Sequence, residues 1–278
     1  MPLDIIFLVL LGAALHATWN ALVKSGKDKQ LDSAMTALGA AVASIAALPF
    51  VSMPNVEAWP YIICTVFIHF TYYQLVGMAY KLGDIGLVYP LMRGVAPLIV
   101  AATSGLVLGE HLSPVMFAGV MFICVGVLTI AIEVRHGNGA AIAVALLNAC
   151  VIALYTFVDG IGARLSGDPV GYTLWICILP PIPLFAYAFL RRGVGPVVAH
   201  VKTSWQRGLF GGIGSVLSYG LALYAMTRAP IAAVAALRET SIFFALLISV
   251  VILKEKASVW RYLAGGLIMA GALVLKLG

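Results

Sequence analysis

The chain has 278 residues, of which 62% are hydrophobic and only 10% charged, and a mean hydropathy of +1.05. A water-soluble domain carries roughly 25% charged residues, so a soluble monomer is excluded, together with every function that requires one. The formal charge of +6 does not point to nucleic acid, because the basic residues sit at the ends of apolar runs, where they report topology and contact with anionic lipid.

Charges and Pro/Gly punctuation predict ten helical spans, at 3–23, 31–53, 58–80, 84–108, 114–132, 139–163, 169–190, 205–227, 230–253 and 259–276. Each is about the 20 residues a helix needs to cross roughly 30 Å of hydrocarbon. The first span lacks a basic leader and a small-residue cleavage site, so it reads as a retained helix, not a signal peptide. The longest connection, 191–204, reads as a short interfacial helix or a loop. Cys64, Cys124, Cys150 and Cys177 lie inside apolar segments without metal or redox spacing and are expected to be buried small hydrophobes.

Lysine and arginine are distributed unevenly over the connections. Twelve lie on the odd-numbered connections, three (Arg164, Arg228, Lys276) on the other side, and two (Arg93, Arg238) inside spans. The positive-inside rule then places the odd connections in the cytoplasm and both termini outside.

The chain also matches itself. Residues 88–114 (VYPLMRGVAPLIVAATSGLVLGEHLSP) lie over 233–259 (AVAALRETSIFFALLISVVILKEKASV), aligning Arg93 with Arg238 and Glu110 with Glu255. Residues 15–24 lie over 154–163, aligning His16 with Tyr155 and Asn20 with Asp159. The coincidence of rare polar residues in matching order predicts two repeats, 1–134 and 135–278. Five spans per repeat is an odd number, so the halves are inverted in the membrane, as in many secondary transporters whose sites lie near the midplane between repeats.

Two segments, LGEHLSPVMFAGVMFICVGV (108–127) and LKEKASVWRYLAGGLIMAGA (253–272), together with HATWNALVK in the first helix, resemble the EamA-type drug/metabolite transporter superfamily over essentially the whole chain. The resemblance implies an all-α membrane protein with a basket-like fold. Helices 1, 3, 4, 6, 8 and 9 would line a central cavity, with helices 5 and 10 peripheral and against each other. It implies carriage of a small metabolite, with export of amino-acid-like compounds the leading reading and a lipid-linked carrier or flippase the alternative. Four-helix relatives that exchange cations carry a glutamate in helix 1, whereas this helix 1 offers His16, Trp19 and Asn20. Many ten-helix relatives have cytoplasmic termini, opposite to the charge count here.

Arg93 and Arg238 are the sharpest candidates for chemistry. Each lies about nine residues into its span, roughly 13 Å deep at 1.5 Å per residue, and the opposite entry of the two helices brings both near the midplane. A guanidinium there needs a partner or water, and two facing one cavity suit a carboxylate or a phosphate-like group held bidentately. A structural pair, Glu239 beside Arg238 or Asp159 reaching either arginine, is the competing reading. Glu239 offsets one charge, which favours a zwitterion or monoanion. Pro90, Gly94 and Pro97 mark the helix around Arg93 as breakable. His16 and His69 are candidates for proton coupling, and Trp19, Tyr73, Tyr89, Tyr155 and Tyr219 for cavity walls. Asn20 and Asp159 are a matched polar pair, and Glu110 and Glu255 read as interfacial ion pairs. Glycines 119, 126, 265, 266 and 271 read as close helix packing within the chain or in a homodimer. Hydrolase, metalloprotease, phosphate-loop and Cys/His metal motifs are all missing. The reading is therefore a transporter, not an enzyme, without cofactor or metal, whose partners are a small substrate and the bilayer, with protons a further candidate.

Overall fold

The computed structural model describes residues 1–23, 28–133, 138–252, 254 and 256–278, and the side chains at 21–23, 29 and 133 are not described. Lys24, Lys27 and Arg135 of the charge count and Glu255 of the repeat match lie outside the described residues, as does the Lys29 side chain.

Among the described residues, ten helices are long and apolar enough to cross a membrane. They are α1 (Leu3–Val23), α2 (Lys29–Ala47), α3 (Trp59–Leu82), α4 (Ile85–Leu108), α5 (Pro114–Thr129), α6 (Gly139–Leu165), α7 (Pro169–Arg192), α8 (Val194–Met226), α9 (Ile231–Ile252) and α10 (Val259–Leu277). Most helix starts are capped by side chains that satisfy exposed backbone N–H groups. Asp28, Asp84, Ser113, Asn138, Asp168 and Ser258 each accept from an N–H in the first turn. Gly109, in the left-handed conformation at φ 66°, ends α4 by donating its N–H to the Ser104 carbonyl, a geometry that favours glycine.

Three boundaries differ from those read from the sequence. The 191–204 connection is helical and continuous with α8, so that helix begins at Val194 and runs 33 residues. Residues 194–204 hold few strong helix formers, and packing of buried Val197 with Leu31 and Ala188 supports the helix there. α7 is interrupted at Leu179–Pro180, where consecutive prolines remove backbone donors. α4, expected to break around Arg93, is a continuous helix through Pro90 and Pro97. The break falls instead in α9, between Arg238 and Ser241.

The packing repeats when the halves are exchanged. α3 lies on α6 and α8 on α1; α4 meets α6 and α9 meets α1. α5 and α10 lie against each other through Gly119, Gly126 and Gly271. A Cβ at Gly119 would stand 2.8 Å from the Leu275 side chain, and one at Gly126 would stand 3.0 Å from the Ala264 carbonyl. Of the remaining glycines there, Gly265 faces α9 and Gly266 meets nothing within 4 Å. One departure from the symmetry stands out. α2 lies along α8, with Gly39, Gly208 and Gly212 at the contact, whereas α7, its counterpart, touches α3 only lightly. Cys124 is buried as expected, but Cys64 and Cys150 face outward, because the outer surface of a membrane helix meets lipid and needs no polar residue.

Ion pairs tie the chain at both ends of the bundle. On the odd-connection side, Arg192 of α7 pairs with Asp28 and donates to Gln30 Oε1 at 2.9 Å, and His200 of α8 meets Asp32 at 3.0 Å. On the even side, Arg164 at the end of α6 lies 2.6 Å from Glu110 and donates to the carbonyls of Met226 and Ala229. Glu110 also accepts from Ile231 N, at the first turn of α9. Its partner is therefore Arg164 of the other half, not His111 beside it.

Candidate functional site

Arg93 and Arg238 do converge. Both line one narrow cleft between α4, α6 and α9, whose free volume of about 10 Å³ is close to room for one water and whose walls include Pro97, Ile152, Tyr155, Thr156 and Glu239. α9 supplies two adjacent residues, Arg238 and Glu239, at the place where it breaks. After Leu237 the helix tightens: Glu239 N donates to the Ala236 carbonyl at 2.9 Å and Thr240 N to the Leu237 carbonyl at 3.1 Å, the narrower spacing of a three-residue turn. In α4, Pro97 has no N–H to return to the Arg93 carbonyl, which leaves that oxygen to other donors.

The pairing differs from the one anticipated. Glu239 does not pair with Arg238, its neighbour in sequence. It accepts from Arg93 Nε of the opposite half at 2.8 Å, with both side chains buried, at 9% and 6% exposure. Arg238 lies with its guanidinium carbon 4.8 Å over the ring of Tyr219, a cation–π contact. Among the described residues it has no carboxylate within ion-pair distance. One guanidinium is thus neutralised by protein and the other is not.

Asp159 reaches neither arginine. It is fully buried, with the Tyr219 hydroxyl 2.5 Å from Oδ2, the Tyr172 hydroxyl 3.4 Å from Oδ1 and His69 Nε2 4.0 Å from Oδ2. α7 and α8 fold over it and supply both phenols. His69 stacks on Tyr155 with ring centroids 4.6 Å apart, and Tyr72 meets both rings edge-on. The aromatic cluster therefore joins the cleft, through Tyr155, to the Asp159 pocket.

The remaining candidates scatter. Tyr89 is half-buried one turn before Arg93 and within electrostatic reach of it. His16 packs edge-on against Trp19 at 5.2 Å and lies within electrostatic reach of Arg93 and Arg238. The Trp19 indole N–H is buried without a protein acceptor, and its ring packs on Gly214 of α8. Asn20 is half-buried on α1 and does not border the cleft. Tyr73 meets Tyr72 and otherwise packs with Ala34, Ala37 and Leu184, a helix-packing position away from the arginines. Residues not singled out in the sequence are Thr65, Thr156 and Tyr172. Gly162 leaves the room that the Tyr172 phenol occupies, since a Cβ there would collide with it.

A family model described as "EamA-like transporter family" matches residues 4–132 and again 139–277. A search of curated proteins finds no significant match. Among solved structures, 27 chains match. One of them, described only as "Crystal structure of protein", superposes with a TM-score of 0.76 at 21% identity, over 98% of this chain and 95% of that one. That likeness bears on the fold.

Proposed function

The chain belongs to the EamA-like transporter family and is a multi-pass membrane protein, and on that premise we propose that it carries an amino-acid-like zwitterion or small organic anion by alternating access about the cleft between α4, α6 and α9. The observation that carries the reading is the unequal treatment of two arginines bordering one space. Arg93 is neutralised by Glu239, which leaves Arg238, held only by an aromatic face, as the positive group that meets an incoming carboxylate or similar anion. With a single uncompensated charge, the cleft suits one anionic head.

The broken symmetry supports alternating access. In an inverted repeat, the opposite-facing state arises when each half adopts the conformation of the other. The close α2–α8 contact would then be exchanged for a close α7–α3 contact, with the cleft as pivot. The ion pairs at either end, Arg192–Asp28 and Arg164–Glu110, are the contacts to be made and released in turn. We place the chain in a bacterial-type inner membrane with both termini outside, following the Lys/Arg distribution. Export is the direction implied by the resemblance and by nothing in the cleft itself.

The test is flux of radiolabelled amino acids and organic acids in proteoliposomes. Arg238→Gln is expected to reduce transport at least about tenfold, the loss of one charge-assisted contact worth roughly 1.5–3 kcal/mol, while the protein remains folded. Wild-type flux in Arg238→Gln would remove the anion site.

A further inference from the structure

Two acids lie buried at the centre of the molecule, and their partners differ in kind. Glu239 is bound by Arg93, whose guanidinium only donates and is never neutral, so Glu239 is fixed as an ion. Asp159 is bound by the hydroxyls of Tyr219 and Tyr172. A hydroxyl donates to a carboxylate and, after rotation, accepts from a carboxylic acid. Asp159 thus keeps its partners with or without a proton.

A second proton acceptor faces it. His69 Nδ1 lies 2.8 Å from Thr65 Oγ1 and 3.0 Å from the Thr65 carbonyl oxygen. The Thr65 hydroxyl can donate to Nδ1 or accept from it, so either ring nitrogen can carry the hydrogen, and Nε2 faces Asp159 Oδ2 at 4.0 Å. The other titratable groups around the pair are Tyr155 on the same helix, Tyr72 of α3 and Cys177 of α7, types that ordinarily carry no charge near neutral pH. The charged groups beyond them are Arg93 on α4 and Arg238 and Glu239 on α9. One ring links this pocket to the cleft: Tyr219 donates to Asp159 and carries Arg238 on its face.

We propose that Asp159 and His69 form a proton site that fills when an anionic group occupies Arg238, so that one proton travels with each anionic head. The proposal rests on Arg238 being the substrate contact. In the empty site Tyr219 stands between Arg238 and Asp159, so the two charges attract at a distance without pairing, whereas Arg93 and Glu239 pair directly. An anion on Arg238 leaves Asp159 as a buried carboxylate without compensation, a state that burial strongly disfavours. A proton from the water on the entry side binds Asp159 Oδ or His69 Nε2 and restores the balance. It returns to water on the far side when the anion leaves, and only an O–H or N–H bond forms and breaks. Such coupling lets an inward proton gradient drive uptake, the reverse of the direction implied by the resemblance.

The proton itself is the first probe. Infrared titration of the protein in nanodiscs is expected to show a protonated-carboxyl band that is lost in Asp159→Asn and retained in Glu239→Gln. A titration unchanged by Asp159→Asn overturns the proposal, whatever the substrate. The second probe is a radiolabelled L-amino acid mixture with radiolabelled gluconate, in proteoliposomes held acid outside. One pH unit is expected to raise wild-type accumulation up to about tenfold, since a unit corresponds to 1.36 kcal/mol per coupled proton. Asp159→Asn should lose that gradient response and keep exchange of internal for external label. An intact gradient response in that variant overturns the proton site and leaves the anion site standing, whereas normal transport in Arg238→Gln overturns the anion site alone.

Discussion

Replacing Arg93 alone with alanine leaves Glu239 an ion without a partner in the interior, a change that costs about 3–5 kcal/mol in comparable buried pairs. Loss of flux in that variant would therefore report loss of folding as much as loss of function. The informative substitution removes both members. Arg93→Met with Glu239→Met is expected to recover most of the thermal stability lost in Arg93→Ala, measured by unfolding in detergent, while transport stays low because the cleft has lost its polar wall. The sequence made both arginines conspicuous, since charge within an apolar span is rare. It did not reveal which arginine Glu239 serves, because the partner lies 146 residues away in the other half and adjacency along the chain favoured Arg238. Tyr172 and Thr65 were invisible for a related reason: a phenol or a hydroxyl inside an apolar helix is common, and only the fold aims it at Asp159.

Among the helices, α5 and α10 give the most direct test of packing. Gly119→Leu forces a side chain into Leu275 and the Gly271 carbonyl and is expected to destabilise by about 1–3 kcal/mol, the usual range for overpacking. Gly266→Ala, with nothing within 4 Å, is expected to be neutral or to stabilise by up to about 1 kcal/mol through helix propensity. Thermal unfolding of the two variants side by side checks both signs. Small-residue spacing was enough to identify this seam, because close approach requires it. It did not separate the inward-facing glycines from Gly266, whose neighbour at Gly265 turns toward α9. Helix breaks were harder to read. The interruption of α7 at Pro180 was not anticipated, the prolines singled out in α4 lie in a continuous helix, and the break in α9 involves no proline at all.

The whole bundle is fastened at the odd-connection end by Asp28, and its acid sensitivity has a definite sign. Partial burial disfavours the Asp28 charge, but hydrogen bonds from Arg192 and from the Leu31 N–H outweigh it and hold the carboxyl below its ordinary value. The folded group thus holds its proton less tightly than the unfolded one. Its contribution is complete above the unfolded pKa, near 3.9, and is lost as pH falls through the lower folded value. Hydrogen exchange in the first turn of α2 is expected to show the same protection at pH 7 and pH 5, allowing for the intrinsic rate. Asp28→Asn should raise exchange there at both.

The Arg93–Glu239 pair has a consequence for how the protein is made. α4 must enter the bilayer while Glu239 is still 146 residues from being synthesised, an interval of roughly 7–30 s at 5–20 residues per second. Through that interval a guanidinium sits in a half-built bundle, at an insertion cost of about 2.5–3.5 kcal/mol that the apolar remainder of α4 has to outweigh. Arrival of α9 discharges that debt, so a nascent chain truncated before α9 should be a preferred target for membrane quality control.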